Sequence, residues 1–248
     1  MRDERIEVTK MAYPQFHAAG DAAILVEFGS EINPESNASV RALSESLRRK
    51  PIRAITECVP AFCSLLINYD PCRLRYQALT RQLRKRLQGL STEAAGSARV
   101  FAIPVCYNGE DLEFVARHAN LSKEEVIRRH SAPEYLIYML GFLPGFAYLG
   151  GLDPAIHTPR LQNPRTKIPA GAVGIGGEQT GIYPLASPGG WQLIGQTPVR
   201  PYDPQRAEPI LYAAGDYIKF EPVTAAEYAA LERRQAAGEQ IWEVGRHG

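Results

Sequence analysis

The chain has 248 residues, 45% of them apolar and 22% charged, with a net charge of +1 at pH 7. That is enough material for one large domain or two small ones, and it gives no electrostatic support for nucleic-acid binding. No run of eighteen apolar residues occurs, so no helical membrane span is expected. The opening MRDERIEVTKMAYPQFHAAG lacks an apolar h-region, which argues against a secretory signal.

The first hundred residues alternate strand and helix. Ala22–Phe28 reads as a strand, and Asn33-Pro34 as a helix start, with the helix running to about Lys50. Ile52–Val59 and Cys63–Tyr69 read as two strands. Asp70-Pro71 repeats the start signal and opens a helix whose Leu79, Leu83 and Leu87 share one face. The basic clusters Arg48–Lys50 and Arg81–Arg86 fall on these helices and read as solvated faces. A small, polar stretch, Gly89–Ala98, precedes a further strand at Arg99–Tyr107. The order β-α-β-β-α-β is that of a ferredoxin-like split βαβ unit. The domain boundary is expected between Gly89 and Tyr107, giving domains of 1–95 and 96–248.

The second part follows a different pattern. Asp111–Ala119 and Ser122–His130 read as short helices, the second with a Ser122/Glu125 capping box. Glu134–Leu140 and Asp216–Pro222 read as strands. A last helix opens on a Thr224/Glu227 capping box and ends at Gly238, and the tail 239–248 is expected to be ordered only where Ile241 and Trp242 dock. Between these elements, Gly141–Arg200 holds twelve of the twenty-one glycines and eight of the nineteen prolines, but only six charged residues. Large apolar residues such as Phe142, Phe146, Tyr148 and Trp191 interrupt that punctuation. A linker would lack them, so the segment reads as closely turned short strands of a barrel, and any site is expected here.

Several chemistries lack their signatures. There is no GxxxxGK[ST], no HExxH and no GxSxG, and the five histidines are scattered, so no metal site is expected. Gly171–Gly177 (GAVGIGG) lacks dinucleotide-loop spacing and reads as turn glycines of the barrel. Ser187 reads as a turn serine, His130 as a helix-end residue interacting with terminal carbonyls, and His157 as a loop residue without a partner. Cys58, Cys63 and Cys106 sit in apolar runs and read as buried free thiols; the clustering of the four cysteines in the first half leaves a disulfide as the less favoured alternative in a cytoplasmic protein.

The candidate site residues are few. Arg160, Arg165 and Lys167 are three cations within eight residues, held extended by prolines, a pattern suited to a carboxylate or phosphate. Surface charges flanking a strand are the competing reading. Glu178 follows two glycines and is the candidate general acid or base, provided burial raises its pKa; an exposed turn carboxylate is the alternative. Gln179 is placed to hydrogen-bond an amide or lactam, or else to brace its own loop. Tyr183 and Gln192 are open between binding and packing, whereas Trp191 reads as core.

The segments GFLPGFAYLGGLD, TPR and PRTKIPAGAVGIGGEQTGIYPLASPGGWQLIGQTP together resemble the signature of the KipI family, also described as allophanate hydrolase subunit 1. Weaker agreement at GDAAILVEFG, SLLINYDP and AGDYIKFEPV extends the resemblance over most of the chain. The family implies an α+β fold, a ferredoxin-like domain followed by a cyclophilin-like β-barrel. Within it the chain is most similar to the B component of bacterial 5-oxoprolinase. That likeness implies ATP-dependent opening of 5-oxoproline to glutamate with the A and C subunits, the ATP chemistry being carried by the complex rather than by this chain. Other members imply inhibition of a sensor histidine kinase, or a carboxyltransferase component of a urea carboxylase. In the last case biotin would arrive on another chain, because no Met-Lys-Met site is present.

Overall fold

Asn33 and Pro34 start a helix as their chemistry predicts. In the computed structural model, which describes residues 12–90 and 98–247, the Asn33 side chain accepts the Ser36 amide at 2.8 Å and Pro34 sits in the first turn, where no donor is needed. The chain divides into two compact units, Met1–Ala94 and Ala95–Gly248. Part of the polar stretch between them, residues 91–97, lies outside the described residues.

The first unit runs β1 (Gln15–Ala18), β2 (Ala23–Glu27), α1 (Pro34–Arg49), β3 (Ile55–Pro60), β4 (Ser64–Tyr69) and α2 (Tyr76–Leu87). Its sheet has the order β1-β2-β4-β3 with every neighbour antiparallel. Strands β2 and β3 are therefore parallel, joined through α1, with β4 inserted between them. That is the first half of the expected split crossover. The fourth position, beside β2, is taken by β1 and not by the strand at 99–107. Residues QFHA of β1 are half-buried or exposed, so they carry no apolar pattern to announce a strand. One face of the sheet (Ile24, Val26, Leu65, Ile67) packs with Val40, Leu43 and Leu47 of α1 and Leu79 and Leu83 of α2. Asp70 does not open α2. Its carboxylate accepts the Cys72 amide at 2.9 Å and closes a separate turn, and the helix begins at Tyr76 without a side-chain cap.

The second unit begins with β5 (Arg99–Val105), α3 (Leu112–Ala119), α4 (Lys123–Ser131), β6 (Glu134–Leu140) and β7 (Ala147–Gly150). The glycine and proline segment adds β8 (Arg165–Ile168), β9 (Ala172–Gly176), β10 (Gln179–Ile182), β11 (Ser187–Gly189) and β12 (Gln192–Gln196). The chain ends with β13 (Tyr217–Pro222), α5 (Ala225–Ala236) and β14 (Glu243–Arg246). Eight strands form one sheet in the order β12-β9-β10-β7-β6-β13-β5-β14, and β8 pairs with β11 separately. The ladders form no closed barrel among the described residues. The sheet does curl enough for Cys106, just past β5, to exchange two 2.9 Å backbone hydrogen bonds with Gln196 at the end of β12.

Three expectations are corrected in this unit. Residues 99–105 lie between β13, which they pair in parallel, and β14, so they belong to this sheet. The tail is ordered well beyond Ile241 and Trp242, because β14 zips antiparallel onto β5. Of the two capping boxes, that of Thr224 and Glu227 is complete. Ser122 caps Glu125, but Glu125 turns its carboxylate to Arg128 and Arg129 instead. The four cysteines are free, with Cys106 buried and Cys58 and Cys63 half-buried.

His130 is not a helix-end charge. It is fully buried, stacked on Phe220, with Nδ1 2.7 Å from the Tyr107 hydroxyl and Nε2 2.7 Å from Thr180 Oγ1. Thr180 spends its single proton on the Gly174 carbonyl at 3.0 Å, so it must accept from Nε2–H. Nδ1 then accepts from Tyr107, and the ring is neutral. Burial pushes its pKa from 6.5 down to about 3. Because the folded pKa is depressed, the unfolded chain takes up the proton first, and stability falls as pH drops from 6.5 toward 3. Urea titrations at pH 7.5, 6.0 and 5.0 are expected to show stability falling below about pH 6.5 by up to about 1.4 kcal/mol per pH unit from this ring. His130→Gln should remove that slope; an unchanged slope would show that the ring is not held neutral.

Candidate active site

Of the four glycines in GAVGIGG, Gly174 and Gly176 are strand residues rather than turn residues, and Trp191 explains those two. Gly174 and Gly176 lie in β9 and Gly181 in the paired strand β10. A Cβ at Gly176 would stand 2.4 Å from the indole, one at Gly181 3.2 Å from it, and one at Gly174 3.3 Å from the Trp191 Cβ. Two adjacent strands have given up their side chains so that one indole can lie across them. The other two glycines of GAVGIGG are turn glycines as expected: Gly171, at φ +83°, leads into β9, and Gly177, at φ +68°, serves the tight turn into β10. Gly189 is constrained in the same way as the strand glycines, since a Cβ there would meet the Tyr183 hydroxyl at 2.5 Å.

Above this floor Phe146 is the hub of an aromatic cluster. Its ring meets those of Tyr148, Tyr183 and Trp191 edge-on at centroid distances of 5.2, 5.6 and 5.5 Å. With Ile168, Ala172 and Leu193 these residues form a small core of their own. The cluster walls a cleft of about 260 Å³, which Phe142, Arg160, Pro164, Pro188, Gly189 and Gly190 complete. Arg160 is the one charged side chain lining it, its guanidinium 5.8 Å from the centre of the Trp191 ring. Phe142 stands at the rim, 63% exposed and at φ +67°, a conformation that costs a bulky residue energy. Burial raises the Tyr183 pKa, so the phenol is a neutral hydrogen-bonding group at ordinary pH.

Of the residues singled out in the sequence, the structure brings Arg160 and Tyr183 to the cleft. Gln192 is buried beneath, where its amide donates to the Pro159 carbonyl at 2.8 Å and so holds the backbone next to Arg160. Arg165 is paired internally: Nη2 lies 2.8 Å from both Asp111 oxygens, and Nε lies 2.9 Å from Glu110. Lys167 is exposed on β8 and Glu178 is exposed in the β9–β10 turn, and neither is among the lining residues. The burial that an acid–base role for Glu178 requires is absent. Gln179 pairs through its backbone with Gly176 and is also outside the lining. His157 does have a partner, the Leu152 carbonyl at 3.1 Å. Trp191, which sequence alone gives to core packing, is both core and cleft wall. The signal that could have revealed the wall is the coincidence of bulky rings with side-chain-free strands.

The family model described as carboxyltransferase domain, subdomain C and D, matches residues 14–212. The chain is 42% identical over 231 residues to the B component of 5-oxoprolinase from Bacillus subtilis (strain 168), covering 88% of this chain and 96% of that protein. Among solved structures, TTHA0988 matches 82% of the chain with a TM-score of 0.74 and 43% identity, but this chain spans only 40% of that longer one. The urea amidolyase of K. lactis has a similar fold, with a TM-score of 0.77 at 23% identity, covering 94% of this chain and 16% of that one.

If the glycine floor sets the indole position, Gly176→Ala should cost about 1–3 kcal/mol by overpacking and shift the Trp191 fluorescence. Gly245→Ala, where nothing lies within 4 Å, should stay within about 0.5 kcal/mol of wild type. Chemical denaturation of both variants checks this; equal stabilities would show that the floor tolerates a methyl group.

Proposed function

We propose that this chain, which belongs to the carboxyltransferase-domain family of subdomains C and D, is the B component of an ATP-dependent 5-oxoprolinase and acts with the A and C subunits to open 5-oxoproline to glutamate. The observation that carries this reading is the 42% identity to a 5-oxoprolinase B component along nearly the full length of both chains. We read the two units as a ferredoxin-like domain, about 1–95, and a cyclophilin-like domain, about 96–248. The split crossover of the first and the curled sheet of the second support that assignment. Four free cysteines fit a cytoplasmic setting, and no described helix is long and apolar enough to cross a membrane.

The cleft suits the proposed substrate. 5-Oxoproline is a small ring with one carboxylate, and the cleft offers aromatic faces and one guanidinium. Arg160 would pair with the carboxylate while Phe146, Tyr183 and Trp191 hold the ring and exclude water. A lactam is stabilised by resonance, and ATP supplies the activation by making the carbonyl oxygen a leaving group. The cleft does not itself fit a triphosphate, because it has one cation, and the sequence carries no P-loop. In this reading ATP is used by the complex, and this chain contributes a lactam-holding surface. Longer relatives carry the same region joined to further sequence, which fits a unit that works in assemblies.

The co-purified three-protein complex is expected to couple ATP hydrolysis to glutamate formation, and this chain alone to do neither. In the complex, Arg160→Ala should lower kcat/KM by about tenfold, the loss of one hydrogen bond to a charged group, while Lys167→Ala should stay within about twofold. Full activity of a complex lacking this chain would overturn the proposed role. An Arg160→Ala complex at wild-type rate would remove the carboxylate role. If the reconstituted complex is inert while the chain blocks a sensor histidine kinase, the exposed Phe142 rim becomes the working surface.

A further inference from the structure

Arg165 stands in a different arrangement from the one its neighbouring cations suggest. Its Nη1 donates to the Trp191 carbonyl at 3.2 Å, while Nη2 alone lies 2.8 Å from both Asp111 oxygens. Asp111 Oδ2 also accepts the Leu193 amide at 2.6 Å, and the Asp111 amide donates to the Leu193 carbonyl at 2.9 Å. The backbone is thus gripped on both sides of Gln192: at Trp191 by the guanidinium and at Leu193 by the carboxylate. Arg165 also lies opposite Gly189 in the β8–β11 ladder, so the same residue is tied to the cleft wall. Both side chains are largely covered, at 22% and 13% exposure. A largely covered guanidinium that divides its nitrogens between a carboxylate and a backbone carbonyl, with charge-assisted bonds, holds those partners in one geometry.

We propose that Arg165 and Asp111 are positioning residues that fix the Trp191 indole in the cleft, and that Arg165 does not itself bind the substrate. The three nitrogens of its guanidinium each have a protein acceptor. Lysine at 165 would keep the charge but could not reach Asp111 and the Trp191 carbonyl together. Only the activity arm of the test rests on the 5-oxoprolinase reading.

Trp191 and Trp242 are the two tryptophans, so Trp242→Phe leaves the cleft indole as sole reporter. In that background of the full chain, Arg165→Met and Arg165→Lys should both red-shift the Trp191 emission and raise its acrylamide quenching about twofold or more, at temperatures where each variant is folded by near-UV circular dichroism. Asp111→Asn, a near-isosteric change, should give the same direction of change if the methionine variant does not fold. In the assembled complex, Arg165→Lys should raise KM about tenfold through the displaced Trp191 wall, and should cost little more once Trp191→Phe is present. Unchanged emission and quenching in the lysine and asparagine variants would overturn the clamp. Additive losses for Arg165→Lys and Trp191→Phe would mean that Arg165 meets the substrate directly. A wild-type complex with no 5-oxoprolinase activity would sink the functional reading alone, because the fluorescence arm decides the clamp without it.

Discussion

The placement of one indole across two strands constrains much of the second unit. An indole needs a flat surface, and a β-sheet offers one only where side chains are missing, so Gly174, Gly176 and Gly181 follow from the position of Trp191. Glycine in a strand weakens it, since the backbone loses more freedom on folding and gains no packing. The compensation lies on the other side of the same strands. There Val173, Ile175 and Ile182 enter the main core, and Thr180 joins the buried chain of Tyr107, His130 and the Gly174 carbonyl. One face of β9 and β10 is thus stripped to receive a ring while other positions of the same strands hold them in register. That division explains why a segment so rich in glycine is not a flexible one.

Charge is divided with similar economy. Within eight residues Arg160 goes to the cleft, Arg165 to an internal pair and Lys167 to solvent. Arg165 and Lys167 are two apart in β8, so the period of a strand gives them the same side. Their fates differ because Glu110 and Asp111, at the start of α3, cover the first and not the second. No spacing rule in the segment itself contains that information, because the deciding carboxylates lie more than fifty residues earlier. The cleft is left with a single cation in an aromatic setting. Such a site favours a small ring with one negative group over a polyanion.

How much of this can be read from the sequence depends on where the deciding partner sits. Local signals serve well: Asn33-Pro34, Ser122 and Thr224 each cap a helix because the cap needs only its own next three residues. Signals that require a distant partner serve less well. Arg99–Val105 has the apolar run of a strand, but its neighbours β13 and β14 come more than a hundred residues later, so sequence order places it in the wrong sheet. The β1 strand is invisible because its four residues are only half-covered, and β14 because all of its residues are exposed. His130 looks like a helix terminus because it is one; its burial against Phe220 and Thr180 is a tertiary fact. For the site, the glycine-rich segment is the right place to look. Glu178, however, needs burial for acid–base chemistry, and the exposed turn between β9 and β10 does not supply it.

The shape of the cleft bears on why such a unit would work in company. Phe142, at its rim, is exposed and held at positive φ, so the rim combines backbone strain with uncovered apolar surface. A site that had to complete a ring opening alone would need a general base, a second cation for a phosphoryl group and cover from water. Among the lining residues the cleft has none of the first two, and its rim is open. It does have a rigid aromatic wall and one guanidinium, which are enough to orient a ring and too few to cleave it. Under the proposed function, the missing groups would come from the other proteins of the complex. The contact between the proteins of the complex would then be part of the catalytic site itself.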